Sequence, residues 1–186
     1  MNRYEAAAAA VRTELVLALR DARADFEELP GPTTGRPISG MSLDLHIQHG
    51  YVAVSLRTDE EKWEQTHIGD WQHAKFLSSL QDSPDTAMSR LAAVVVELYN
   101  EVREDDVFGL ADRRQMLYLV AAEAVLNEEV AIVLNELGIE APVFGEELGS
   151  APFAFFVYDA DEMLTVNYCD VVRAHRVTAR VLRNEA

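Results

Sequence analysis

The segment LDLHIQHGYVAVSL, residues 43–56, constrains the fold more than any other part of the chain. Apolar and polar residues alternate on both sides of His49-Gly50, and glycine suits a turn because it tolerates a positive φ. A two-residue turn at this pair makes apolar side chains face one another across the strands: Ile47 with Val52, Leu45 with Val54, and Leu43 with Leu56. The segment therefore predicts a β-hairpin with one apolar and one polar face.

The hairpin also bears on the two closely spaced histidines of HIQH. Its register places Asp44 and His46 on the polar face of the first strand and His49 in the turn. Histidines chelate a metal only when their ring nitrogens point at one centre. We therefore expect no metal site at this pair.

Helical periodicity accounts for most of the remaining chain. The first predicted helix covers 2–29 and is ended by Pro30, a second short helix begins near Asp70, and a third begins at the start signal Ser83-Pro84. A fourth covers 111–137, where Asn127 breaks or recaps the helix and Gly138 ends it. The last predicted helix runs from Asp170 onward. Residues 30–40 have no periodicity and are expected to form a loop.

A second pair of strands is predicted late in the chain. The segment APFAFFVYDADEMLTVNY, residues 151–168, has two strand-like runs around an acidic turn at 159–162. Isolated hairpins are marginally stable, so the two are expected to pair into one small antiparallel sheet of about four strands. Packed against several α-helices, this sheet defines an α+β fold, with residues 1–186 as a single domain.

The chain is strongly acidic, with 16 Lys and Arg against 32 Asp and Glu and a net charge of −16. Such a field repels nucleic-acid phosphates and anionic membranes, whereas it speeds encounter with basic proteins. The alternative is that the charge serves solubility alone. A single cysteine and the absence of a signal-peptide pattern suit a reducing cytoplasm, where we expect this protein.

The best candidate for a metal site is His67, Asp70 and His73. On a continuous helix, this spacing spreads three side chains over about 120° of one face. The alternative is that Gly69 marks a helix boundary and that Asp70 is the N-cap of the next helix. No other cofactor is expected, and no P-loop, dinucleotide, zinc-protease or hydrolase motif occurs, which favours a protein without catalytic activity.

Cys169 and His175 raise the question of a thiol nucleophile. No oxyanion-hole glycine or nucleophile-elbow motif stands near them. A single cysteine among apolar neighbours more often belongs to the core. We predict no catalytic residues in this chain.

Two groups of residues are candidates for an interface. Trp63 and Trp71 are aromatic residues in a polar segment, where they either anchor a partner or fill the edge of the core. The last helix carries a stripe of arginines on one face: Arg173, Arg176, Arg180 and Arg183. This stripe either pairs with carboxylates of the protein itself or contacts the acidic surface of a partner.

Two segments of the chain resemble parts of known families: RTDEEKWEQTHIGDW, residues 57–71, and FVYDADEMLTVNYCDVV, residues 156–172. Their layout resembles bacterial families of unknown function in which a hairpin and a tryptophan-bearing segment precede long helices and a late hairpin. Some of these families are similar to immunity proteins of toxin systems. The resemblance implies a protein that binds and blocks a toxin without catalysis, and it transfers no functional residues.

Three hypotheses follow from the sequence. The first is a non-catalytic protein-binding module, such as a toxin-neutralising immunity protein. The second is a metal-dependent enzyme with a site near His67, Asp70 and His73. The third is a self-associating structural protein that forms a homodimer through an apolar helix face.

Overall fold

The computed structural model describes residues 3–29, 37–59, 61, 68–80, 83–104, 110–142, 153–159 and 166–184, with the backbone alone for 102–104, 110–114, 159 and 180–184. The described residues form six α-helices and one four-stranded sheet, which confirms the α+β class. The elements in chain order are α1 (Arg3–Asp21), α2 (Arg23–Glu27), β1 (Ile38–His46), β2 (Tyr51–Thr58), β3 (His73–Ser78), α3 (Ala87–Glu104), α4 (Leu110–Val125), α5 (Glu128–Glu136), β4 (Ala154–Asp159) and α6 (Tyr168–Asn184).

The sheet is mixed, with the strand order β3-β2-β1-β4. β1 and β3 run antiparallel to β2, but β4 runs parallel to β1, so the expectation of a fully antiparallel sheet is wrong. The predicted second hairpin falls partly on residues 160–165, which lie outside the described residues. Val166 and Asn167 are not in a strand and Tyr168 begins α6, because Asn167 caps a helix where a strand was expected.

The first hairpin is confirmed, but its register differs from the prediction by two residues. The observed apolar pairs are Leu45 with Val52, Leu43 with Val54, and Met41 with Leu56. The loop has four residues, a 3-10 turn over Ile47–His49 followed by Gly50 at φ 68°. A shift of two keeps every side chain on its own face, so the apolar pattern is equally consistent with both registers.

β3 lies where the sequence predicts a short helix. It forms the edge of the sheet beside β2, and Lys75, with a φ of 51°, interrupts the regular pairing. Phe76 of β3 packs edge-on against Phe26 of α2, with ring centroids 4.9 Å apart. Pairing with the open edge of β2 satisfies the backbone groups of both strands, and this tertiary contact outweighs the local helical pattern.

The predicted helix boundaries agree with the structure at some positions and not at others, and the single helix predicted over 2–29 is divided into α1 and α2. Asn127 caps α5 by accepting a hydrogen bond from the N–H of Glu129 at 3.0 Å, and Gly138 follows α5 at φ 84°. These two predictions are confirmed. α3, however, begins at Ala87 instead of Ser83-Pro84, because the Thr86 hydroxyl accepts from the N–H of Ser89 at 3.1 Å and caps the helix there.

The helices form a layer on one face of the sheet. α3 contacts β2, α4 contacts β1 and β4, and α6 contacts β4 beside α4, while α1 packs against α3, α4 and α5. Strands β1 and β2 are buried along nearly their whole length, on both faces of the sheet. Among the described residues, no helix has the length and apolar character needed to cross a membrane.

Candidate functional site

A buried carboxylate lies at the centre of the sheet, on the face turned away from the helices. Asp44 of β1 is 3% exposed and accepts hydrogen bonds from the hydroxyls of Ser42 and Ser55, both at 2.5 Å. The Ser55 oxygen in turn accepts from the backbone N–H of Lys75 at 2.9 Å. A chain of polar groups thus links the three strands β1, β2 and β3.

Burial dominates the electrostatics of this group. Loss of solvent raises the pKa of Asp44 from 3.8 to about 6, while the two serine hydroxyls and the charge of Lys75 act in the opposite direction. A carboxyl group with a strongly shifted pKa is a common feature of active sites. Here the carboxyl and both serines are sealed from solvent, so a substrate has no access and the cluster acts as a structural element.

Aromatic rings and one arginine cover part of the same face. The ring of Phe156 meets Trp71 edge-on at 5.4 Å and stacks on Tyr158 at 5.9 Å, and the guanidinium of Arg57 lies 5.3 Å from its centroid. Burial lowers the pKa of Arg57 and raises that of Tyr158 to about 12. The indole N–H of Trp71 is buried and has no acceptor among the described residues.

The hairpin end of this face is polar and more open. The His46 ring stacks on Tyr51 with centroids 4.1 Å apart, and Lys75 donates from its ammonium group to the Tyr51 hydroxyl at 3.2 Å. His49 lies in the turn and is exposed. Among the described residues, no cluster of three metal-ligating side chains occurs here or elsewhere.

The predicted metal residues do not share a helix. Asp70 ends a 3-10 turn that begins at Ile68, whereas His73 is the first residue of β3. The helical spacing that motivated the site is therefore absent between these two residues. His67 lies outside the described residues, so the metal site stays a prediction.

Cys169 is fully buried at the start of α6. Desolvation raises the pKa of its thiol well above the usual range, so the group stays protonated at neutral pH. A protonated and inaccessible thiol is a poor nucleophile, whereas His175 is exposed. The position agrees with a core residue.

The interface candidates occupy different environments. Trp71 is 4% exposed and contributes to the interior, while Trp63 lies outside the described residues. Arg173 pairs with Asp170 of its own helix at 3.2 Å, and Arg176 pairs with Glu123 of α4. Arg180 and Arg183 lie on α6, but their side chains are outside the described set. Contact with a partner stays a prediction for this stripe.

Arginines elsewhere also pair with carboxylates of the chain itself, mostly between helices. The ion pairs are Arg3 with Glu101 at 3.2 Å, Arg12 with Glu129 at 2.9 Å, Arg20 with Glu136 at 3.9 Å, and Arg90 with Glu14 at 2.9 Å. Acidic residues outnumber basic ones two to one, 32 against 16. Together with the pairs of Arg173 and Arg176, these contacts engage six of the 16 basic residues, so carboxylates remain in excess.

Two buried polar residues were not singled out by the sequence. Asp44 was assigned to a polar strand face, and Asn167 to a strand. Three of the residues next to Asp44 on its face, Ser42, Ala53 and Ser55, are small, whereas His46 and Tyr158 on the same face are large. The alternation of polar and apolar residues does not tell a covered face from an open one.

Comparisons with known proteins do not assign this chain to a family. No protein-family model matches the chain, and neither a curated protein nor a solved structure is significantly similar to it.

Proposed function

We propose that this protein is a non-catalytic binding module that captures a basic protein, with a toxin-neutralising immunity protein as the most specific form of the hypothesis. The observation that carries the proposal is the distribution of charge. Arginines of α1, α3 and α6 lie in ion pairs with the chain's own carboxylates, while the whole chain has a net charge of −16. An acidic surface of this kind steers and retains basic partners.

The chemistry of the buried groups supports the same proposal. Asp44, whose pKa is shifted the most among the carboxyl groups of the described residues, and Cys169, the only cysteine of the sequence, are both buried. The negative field also disfavours nucleic acids, which we do not expect as partners. The single buried cysteine suits the cytoplasm, where we place the protein.

The experiment is affinity capture by the tagged protein from its native cell extract, with elution in steps of rising salt and identification by mass spectrometry. The test variant is the triple substitution Asp25→Asn, Glu97→Gln, Glu140→Gln, in which three exposed carboxylates lose their charge without a change of shape. We expect one basic protein to bind the wild type, to elute with salt and to bind the triple variant less tightly. A bait that retains no basic protein at low salt contradicts the proposal.

Self-association is the second candidate, because one side of α6 and the residues before it expose apolar side chains. Val166, Val171 and Val177 are 42%, 44% and 41% exposed. Light scattering coupled to gel filtration tests this candidate: a dimer that the variant Val171→Glu converts to a monomer supports it, and a wild-type monomer contradicts it.

A further inference from the structure

The outward side of α3 bears a shallow hollow of about 430 Å³, lined by Ala93, Val96, Glu97, Asn100 and Glu101. Leu91 and Val95 on the opposite side of the same helix are buried in the core. Two aliphatic residues and three polar ones thus share one exposed helix face. Ala93 and Val96 supply the apolar lining, and the two glutamates supply negative charge.

The two carboxylates of the hollow differ in whether they form an ion pair. Glu101 accepts a hydrogen bond from the guanidinium of Arg3 at 3.2 Å, and both side chains of this pair are about half exposed, 49% and 54%. Glu97, one helical turn earlier, is exposed and forms no ion pair among the described residues. One carboxylate of the hollow is therefore already paired with a guanidinium of the chain itself, whereas Glu97 is open to another cation.

We propose that this hollow is the docking site for a basic segment of a partner protein, an inference that rests on the proposed function. A lysine or arginine of the partner lays its aliphatic stem on Ala93 and Val96 and places its cation against Glu97. Long basic side chains combine an apolar stem with a charged end, and this lining matches both parts. The occupant is basic because the charge of −16 repels an acidic segment.

The test measures binding of a fluorescein-labelled amphipathic peptide of leucine and lysine by anisotropy, at low salt. Glu97→Gln removes the charge of the hollow without changing its shape, and Ala93→Gln fills the apolar lining without changing the charge. Glu27→Gln on α2 is the matched control, because Glu27 is also exposed on a helix and the substitution changes the net charge equally. Circular dichroism verifies that each variant keeps its helices.

We expect Glu97→Gln and Ala93→Gln each to raise the Kd for the peptide about fivefold, and Glu27→Gln to raise it less than about twofold. Equal weakening by Glu97→Gln and Glu27→Gln, with no effect of Ala93→Gln, overturns the docking site. That result leaves the capture of basic proteins intact, because it is the signature of charge acting at long range. A wild type that does not bind the peptide overturns the site, and absence of a captured basic protein from cell extract separately overturns the proposed function.

Discussion

At the scale of single residues, two buried polar side chains organise the centre of the molecule. Asp44 accepts from Ser42 and Ser55 and so joins neighbouring strands. Asn167 accepts from the N–H groups of Val157 and Cys169 at 3.2 and 3.1 Å. Each side chain provides hydrogen-bond partners for polar groups that would otherwise be buried without one. Leaving such a group unpaired costs more free energy than an average hydrogen bond contributes to stability.

The burial of Asp44 predicts a stability that falls as the pH rises. Its folded-state pKa, about 6, lies above the reference value of 3.8, so the folded protein binds the proton more tightly than the unfolded chain does. This contribution is complete below pH 3.8, is lost as the pH rises through about 6, and amounts to about 3 kcal/mol in total. Roughly 1 kcal/mol of it falls between pH 5 and pH 8.

We expect Asp44→Asn to remove this pH dependence, because asparagine does not titrate. Urea unfolding of wild type and variant at several values between pH 5 and pH 8 measures the difference in the free energy of unfolding. That difference should move by roughly 1 kcal/mol in favour of the variant as the pH rises. The exposed substitution Asp21→Asn is the control, and parallel pH profiles for wild type and Asp44→Asn would refute the assignment.

Asn167→Ala should destabilise the protein by about 2–3 kcal/mol, because it leaves several buried groups unpaired at the junction of β4 and α6. Besides its two accepted bonds, the Asn167 amide donates to the carbonyl of Phe155 at 3.0 Å and to Asp170 at 3.2 Å. Asn127→Ala is the matched control, because that asparagine caps α5 with one exposed hydrogen bond and should cost about 1 kcal/mol. Chemical unfolding measures both, and equal losses would contradict the argument.

At the scale of elements, the position of β4 depends on a close approach to β1. Gly40 of β1 pairs with Ala154 of β4 in the parallel register. A Cβ on Gly40 would lie 2.9 Å from the carbonyl oxygen of Ala154 and 2.9 Å from Cε2 of Phe156. The absence of a side chain at residue 40 therefore permits both the strand pairing and the position of the Phe156 ring.

Gly40→Ala is expected to lower the free energy of unfolding by about 2 kcal/mol, because a methyl group must displace backbone or a packed ring. Gly69→Ala is the control: nothing lies within 4 Å of a Cβ at that position, so little change is expected. Thermal or urea unfolding compares the two variants. A Gly40→Ala protein as stable as Gly69→Ala would show that β4 tolerates a displacement from β1.

At the scale of the whole molecule, the excess of carboxylates opposes the compact state. Ion pairs between exposed side chains each contribute little, about 0–1 kcal/mol. The pairs that α1 forms with α3 and α5 therefore offset only part of the repulsion within a chain of net charge −16.

We expect moderate salt to stabilise the protein, because screening weakens the repulsion between distant carboxylates more than the contacts at short range. The Tm at pH 8 should rise by about 3–5 °C between roughly 0.02 and 0.3 M sodium chloride. The same titration at pH 5, close to the sequence pI of 4.6, is the control and should give a smaller rise. A Tm that falls with salt at pH 8 would mean that the ion pairs outweigh the repulsion.

Features that depend on near neighbours along the chain could be predicted from the sequence alone. The hairpin, the long helices, the cap at Asn127 and the end at Gly138 follow from periodicity and from the backbone preferences of single residues. The excess of negative charge is likewise a property of composition. Of the proposed docking hollow, the sequence predicted the negative charge but not the position on α3.

The pairing of segments that are distant along the chain could not be predicted in this way. The hairpin register, the strand β3, the parallel pairing of β4 and the burial of Asp44 each depend on what covers a strand edge or a sheet face. Local patterns are the same for two registers that differ by two residues, and for a polar residue on a covered or an open face. The choice between such states lies in contacts between residues far apart in sequence, which periodicity does not contain.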